Sequence, residues 1–441
     1  MTYPSHGRVL VNSLAKSMGG KYSLYLIQIL SMVVLARMFT PEQFGVFAVI
    51  QVFALFFALF SEVGLVPALV NEKHVSVRMR NGVFGFTIVL GFSAFILFLI
   101  SSPLIALFYE YSAYQYLVIP VAISIIFNAC SIVPIAAYSR EKKFLHIARA
   151  EIIAEIGSLL FVIFTFMKLE AVLVLAIKPL VFSIFKFFLL WFGSKKTIIG
   201  KPNFSNEFGQ VKPLYRFSLY QFMSNVMVYF SRNLDNLLVG KYFGVVSLGV
   251  YDKAYQLMRY PLMLLTFAMA PAIQPVLKEL NEDVLKFTEL HNKLVKYLAV
   301  VASFVGLGIY LSSELIVWVM LGEQWEMVGE LLKILAVSIP IQVVLSSSGG
   351  FFQAANRTDL LFSATVFSTI TNVTAICFAI YFGDLYVLCW AITISFTINF
   401  FQCYYLLGKN ILKGFDLKLI GPLLLVLVSS ASLALMNLFS I

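Results

Sequence analysis

Apolar residues occur along this chain in stretches of about twenty, and the short segments between them carry most of the charge. A bilayer core of ~30 Å is crossed by roughly 20 helical residues. Thirteen runs meet that length and predict membrane-spanning helices: 20–39, 45–66, 82–108, 115–138, 150–167, 171–192, 214–238, 248–273, 294–311, 328–352, 360–381, 385–407 and 417–438. The pattern predicts an all-α polytopic membrane protein with about 13 transmembrane helices, in a range of 12 to 14. Composition agrees, because 60% hydrophobic and 12% charged residues are outside the balance of a water-soluble domain. The first run follows Arg8, Lys16 and Lys21 without a small-residue cleavage site and precedes many others, so it reads as a helix rather than a leader.

Charge placement orients the spans. With the N-terminus inside, the inner segments hold Arg8, Lys16, Lys21; Lys73, Arg78, Arg80; Arg140, Lys142, Lys143, Arg149; Lys195, Lys196, Lys201, Lys212, Arg216; Lys278, Lys286, Lys293, Lys296; Arg357; and Lys409, Lys413, Lys418. The outer loops carry mainly acids, among them Glu42, Glu110, Glu170 and Asp384. This is the positive-inside arrangement, and it predicts a multi-pass membrane protein with a cytoplasmic N-terminus. It also explains the net charge of +10 without a nucleic-acid partner.

The polar break at 193–213 divides the first twelve spans equally. It predicts an N-terminal lobe over 1–192, a cytoplasmic linker, a C-terminal lobe over 214–408 and an additional span in 409–441. The outer turns Arg37–Phe47 (RMFTPEQFGVF) and Lys241–Tyr251 (KYFGVVSLGVY) echo one another, and Ala122–Ile125 echoes Ala336–Ile339 more faintly. Six helices separate the copies, so the expectation is two six-helix lobes related as parallel repeats. Pro275–Lys293 reads as an amphipathic surface helix, and Trp318 and Trp325 as interfacial anchors. Pro134, Pro179, Pro261, Pro271, Pro340 and the run Ser346–Gly350 are candidate points of bending.

Seven basic residues remain within the spans: Arg37, Lys178, Lys186, Arg232, Lys253, Arg259 and Lys333. Each costs about 2.5–3.5 kcal/mol at a lipid-facing helix centre. Snorkelling suits Arg37 and Lys333, which are close to outer ends, and Asp235 shares a helical face with Arg232. The in-span acids Glu62, Glu151, Glu155, Asp235 and Asp252 are too few to match every cation, and the first three are expected near the inner surface. The remainder predicts a cationic, water-filled cavity suited to an anionic headgroup such as a diphosphate. Glu62 and Glu155 are candidates for coupling to a proton or sodium gradient, with neutralisation of Lys73 or Arg149 as the alternative.

Other chemistries lack their residues. Cys130, Cys377, Cys389 and Cys403 fall in apolar runs without CxxC spacing and read as buried thiols. Gly20-Lys21 lacks the rest of a P-loop. His6, His74, His146 and His291 are assigned to the tail and inner loops without metal-ligand spacing. No metal, cofactor or catalytic group is expected, and the outer loops are too short for an enzymatic domain.

The stretch Ser231–Pro261 (SRNLDNLLVGKYFGVVSLGVYDKAYQLMRYP), with its twin at Ala36–Phe47 (ARMFTPEQFGVF), strongly resembles the polysaccharide transporter family, the Wzx-type flippases of bacterial surface-glycan synthesis. The resemblance implies the multidrug/oligosaccharidyl-lipid/polysaccharide exporter fold. It also implies that an undecaprenyl-diphosphate-linked oligosaccharide crosses from the cytoplasmic to the periplasmic leaflet, for O-antigen, capsule or exopolysaccharide synthesis. By the same resemblance Arg37, Arg232, Asp235, Lys253 and Arg259 become preferred cavity residues, and a polymerase and chain-length proteins become candidate partners. A cation-coupled multidrug exporter of the same superfamily is the alternative, but its cationic substrates favour an acidic cavity. A glycan polymerase or transferase is a third class, and it needs catalytic groups on a larger outer loop.

Overall fold

The computed structural model describes residues 5–267, 284–412, 414 and 417–439, and every regular element among them is helical. The chain forms two compact units, 1–241 and 242–441, whereas the sequence suggested a division at 193–213. Nine helices among the described residues are long and apolar enough to cross a membrane, or ten if a pair bent by 60° is one span. The fifth, seventh and eighth expected spans are not among these.

The first unit contains α1 (Ser5–Met38), α2 (Pro41–Glu62), α3 (Leu65–Asn71), α4 (Val77–Phe108), α5 (Tyr114–Cys130), α6 (Ile132–Arg140), α7 (Phe144–Thr165), α8 (Ala171–Gly193) and α9 (Lys212–Tyr242). The Thr-Pro-Glu-Gln sequence between α1 and α2 is a capping box. Thr40 Oγ1 accepts from Gln43 N at 3.3 Å, Gln43 Oε1 accepts from Thr40 N at 3.0 Å, and Pro41 begins α2 where no amide donor is required. At the other end of the unit, Arg140 satisfies carbonyls at the end of α3, donating to Leu69 O at 3.1 Å and Lys73 O at 2.7 Å. Leu65, Leu69, Val83, Ala129, Val133 and Ala136 form a buried core beside it.

The segment expected to be a linker is packed against α4 and α8. Arg80 Nη1 donates to Ile199 O at 2.9 Å, Trp191 Nε1 to Pro202 O at 3.0 Å, and the Lys201 ammonium is 3.4 Å from the Trp191 ring centroid. The Ile198 amide also donates to Glu141. Partial burial works to raise the Glu141 carboxyl, but the hydrogen bonds from Lys143 and Ile198, with the Lys143 charge, leave it below its usual range. Gly85 permits this packing, because a Cβ there would lie 1.9 Å from Ser205 O.

The second unit contains α10 (Gly244–Leu262), which runs into a π-helical turn at Met263–Phe267, then α11 (Val284–Met320), α12 (Glu326–Ala336), α13 (Ile339–Ala354), α14 (Thr358–Phe382), α15 (Leu385–Asn410) and α16 (Leu417–Phe439). Several expectations change here. Residues 284–293, expected in a separate surface helix, continue into α11. Buried Phe287, His291, Val295, Leu298 and Ala302 form one stripe across the expected boundary, with no Gly or Pro to interrupt it. The remainder of that expected helix, and Pro271, lie outside the described residues. His291 is fully buried rather than in a loop, with its ring centroid 4.3 Å from that of Phe351.

The expected tenth span is broken by 60° between α12 and α13. Pro340 lacks the amide that would extend the helix, and α11 accommodates the bend through Gly306, where a Cβ would meet Pro340 Cδ at 3.2 Å. The serine and glycine run 346–350 is instead continuous helix. Trp325 is fully buried beneath a short turn that leaves Gly322 at φ 101°, whereas Trp318 is exposed. Cys377 is exposed, while Cys130, Cys389 and Cys403 are buried.

Replacing Gly85 with Val forces Ser205 away from α4, at about 1–3 kcal/mol for an overpacked contact. Limited trypsin treatment checks this: cleavage at Lys195 and Lys196 should accelerate in the variant, and an unchanged digestion rate would show that the segment is not held there.

Candidate functional site

The first unit brings its in-span charges together on two adjacent helices. Lys178 on α8 lies 2.7 Å from Glu155 on α7, with side chains 17% and 8% exposed. One turn back along α7 is Glu151, and two turns forward along α8 is Lys186, so antiparallel neighbours face each other with opposite charges at two depths. Lys186 interacts electrostatically with Glu151 and Glu62, and its ammonium is 5.6 Å from the Phe182 ring centroid. Glu155 is therefore near the middle of α7 and paired with a lysine from the next helix. Glu62 likewise interacts electrostatically with Lys186. The Glu-x3-Glu spacing on one predicted span and the Lys-x7-Lys spacing on the next were the available sequence signal for this pairing.

Arg37 near the end of α1 and Arg232 on α9 are exposed, and Asp235 is half-buried one turn beyond Arg232. The α9 helix is joined to α2 and α4 within this unit: Tyr229 donates to Val52 O at 2.9 Å, and Tyr109 donates to Leu237 O at 3.0 Å. Aromatic rings reinforce the contact, with Phe56 5.4 Å from Tyr229 and Phe60 5.3 Å from Phe222. Beyond them, Lys241 reaches Glu110 at 3.1 Å and Phe108 O at 2.6 Å.

In the second unit Lys253 is buried, with its Nζ 3.2 Å from both Asp252 Oδ2 and Gln256 Oε1. Consecutive residues point about 100° apart on a helix, but the flexible lysine stem folds back to its neighbour. Arg259, in the last turn of α10, is exposed and has no ion pair among the described residues. Close by, Gln342 donates to Ser338 at 2.7 Å and to the Met258 sulfur at 3.1 Å, a buried polar cluster that sequence reasoning did not identify. Lys333 pairs with Glu314 of α11, so an outer-end carboxylate rather than water alone receives it. Across the two units the unmatched positive charge is smaller than the sequence count implied.

Lys178 and Glu155 should behave as a buried ion pair. Replacing Lys178 with Met, or Glu155 with Gln, strands a partner and should cost about 3–5 kcal/mol, whereas the double replacement should recover much of that loss. Thermal unfolding of the purified protein in detergent checks the cycle, and additive losses would dismiss the pairing.

Known proteins share this sequence and architecture. The chain is 24% identical over 380 residues to the teichuronic acid biosynthesis protein TuaB of Bacillus subtilis, covering 85% of this chain and 77% of that protein. It is 26% identical over 362 residues to a probable low-salt glycan biosynthesis flippase, Agl15 of Haloferax volcanii, covering 79% and 72%. Among solved structures, the inward closed conformation of the lipid II flippase MurJ superposes with a TM-score of 0.73 at 16% identity, over 94% of this chain and 97% of that one. A family model described as polysaccharide biosynthesis protein matches residues 34–329. The chain belongs to that family, and it is a multi-pass membrane transporter of the Wzx-like kind rather than an enzyme.

Proposed function

We propose that this protein is a flippase carrying an undecaprenyl-diphosphate-linked oligosaccharide repeat unit from the cytoplasmic to the periplasmic leaflet by alternating access, for surface polysaccharide synthesis. The family match over residues 34–329 carries the reading. In this proposal the chain lies in a bacterial inner membrane with its N-terminus cytoplasmic, about thirteen helices cross the bilayer, and two six-helix lobes arise from a duplication. A polymerase and chain-length proteins receive the product.

The charges support an anionic cargo. Arg37, Arg232 and Arg259 are exposed residues on helices of a membrane protein, where contact with water and a phosphate avoids the cost of contact with hydrocarbon. Lys253 and Asp235 join them as polar contacts. The carboxylates Glu155 and Asp252 each have a lysine within 3.2 Å, an arrangement unlike the free acidic site that a cationic drug would favour. In our reading Lys178, Lys186 and Lys333 hold helices together through their carboxylates, and cycling is driven by a proton or sodium gradient acting at Glu62 or Glu155.

Reconstitution with a labelled lipid-diphosphate oligosaccharide, scored for sidedness, tests the transport. The wild type should move label between leaflets, and the Arg232→Ala and Lys253→Ala variants should slow it by about tenfold or more, given roughly 1.5–3 kcal/mol for a charged hydrogen bond, at unchanged membrane abundance. Wild-type vesicles that move no label would reject the flippase, while undiminished transport in both variants would reject the residue assignment alone. For coupling, Glu62→Gln should alter the response of transport to collapse of the proton or sodium gradient. An identical response in wild type and variant would remove Glu62 from that role.

A further inference from the structure

We infer that the second unit contains a separate binding site for the headgroup of an anionic bilayer phospholipid, at the N-terminal ends of α11 and α16. A cavity of about 1210 Å³ opens between these helices, larger than the roughly 300–1,000 Å³ of a drug-sized site. Lys293, Lys296 and Lys418 line it, with Glu289 as an opposing charge. Lys293 and Lys296 are one turn apart on the same face of α11, and Lys418 approaches from the first turn of α16. All three lysines are exposed and have no ion pair among the described residues. None was among the cavity candidates, because the sequence assigned them to inner loops.

Below the lysines the lining changes. Val300 and Leu425 provide apolar walls, and deeper still Ser303 donates to Ser429 at 3.0 Å and closes the gap between the helices. Gly421 keeps the site open, since a Cβ there would meet nothing within 4 Å. The lining thus grades from cationic at Lys293, Lys296 and Lys418 to apolar at Val300 and Leu425, one to two helical turns further along, with Val284, Leu285 and Leu412 lining the opposite end. That gradient complements an amphiphile with a phosphate headgroup and acyl chains, and basic pockets between transmembrane helices are suited to anionic headgroups. A soluble phosphate would leave the apolar walls unfilled. A bilayer phospholipid occupying the site would join α16 to α11 and support the last span, a role independent of any transported substrate.

Purified full-length protein, stripped of lipid in a neutral detergent, provides the test when titrated with phosphatidylglycerol, phosphatidylcholine or undecaprenyl diphosphate and scored for bound lipid by native mass spectrometry. Phosphatidylglycerol should be retained in preference to phosphatidylcholine. Retention should weaken by about tenfold or more in the Lys293→Gln/Lys296→Gln/Lys418→Gln variant, at roughly fivefold per lysine, and should persist when the same positions are Arg. Gly421→Leu should also block retention while preserving every charge. If the Gln variant is too unstable to purify, the Gly421→Leu and Arg proteins decide the outcome alone. Equal retention of both phospholipids, undiminished phosphatidylglycerol binding in Gly421→Leu, or displacement of phosphatidylglycerol by stoichiometric undecaprenyl diphosphate would overturn the assignment.

Discussion

A helix in hydrocarbon satisfies its own backbone, but it does not satisfy a lysine. That constraint organises the polar side chains of this protein, because an ionised group taken from water costs several kcal/mol unless an opposite charge or a hydrogen-bonding partner meets it. Lys178 and Glu155 show the local solution: two consecutive antiparallel helices place opposite charges at the same depth, 2.7 Å apart. Lys186 continues the arrangement toward Glu151 and Glu62. Lys253 with Asp252 and Lys333 with Glu314 extend the same solution to the second unit. The helices that carry these charges can therefore belong to a membrane protein.

The same constraint separates structural cations from candidates for cargo. A lysine held by a carboxylate attracts a passing diphosphate less strongly than its full charge would, since its field is partly cancelled nearby. Arg232 and Arg259, both exposed, lie within the stretch that marks the family. The functional reading thus rests on fewer residues than the full count of in-span cations, and on arginine more than lysine. This also agrees with the capacity of guanidinium for bidentate phosphate recognition.

Away from the spans, close packing takes the place of apparent loops. The 193–213 segment is polar enough to read as a free connection, yet Arg80, Trp191 and Lys201 hold it against the first unit. Gly85 is the enabling residue, and its significance depends entirely on a carbonyl 120 positions later in the chain. Likewise the break before Ile339 combines a local cause, Pro340, with a remote one, Gly306 on a neighbouring helix. A bend needs both the missing amide and the space into which the helix can turn.

The sequence by itself determined the features governed by local periodicity and composition. An apolar run of membrane length forms a helix because no water is available to its backbone, so the helical class and the order of the elements were legible. The capping box at Thr40 was legible for a similar reason, since its partners are three residues apart. Only the tertiary structure decided which charges meet, because Glu155 and Lys178 are 23 positions apart and an error of one residue in helical phase turns either away. It also decided that Trp325 and His291 are buried and that Lys293, Lys296 and Lys418 surround a cavity. These outcomes depend on which helix faces are adjacent, and adjacency is a property of packing rather than of any single segment.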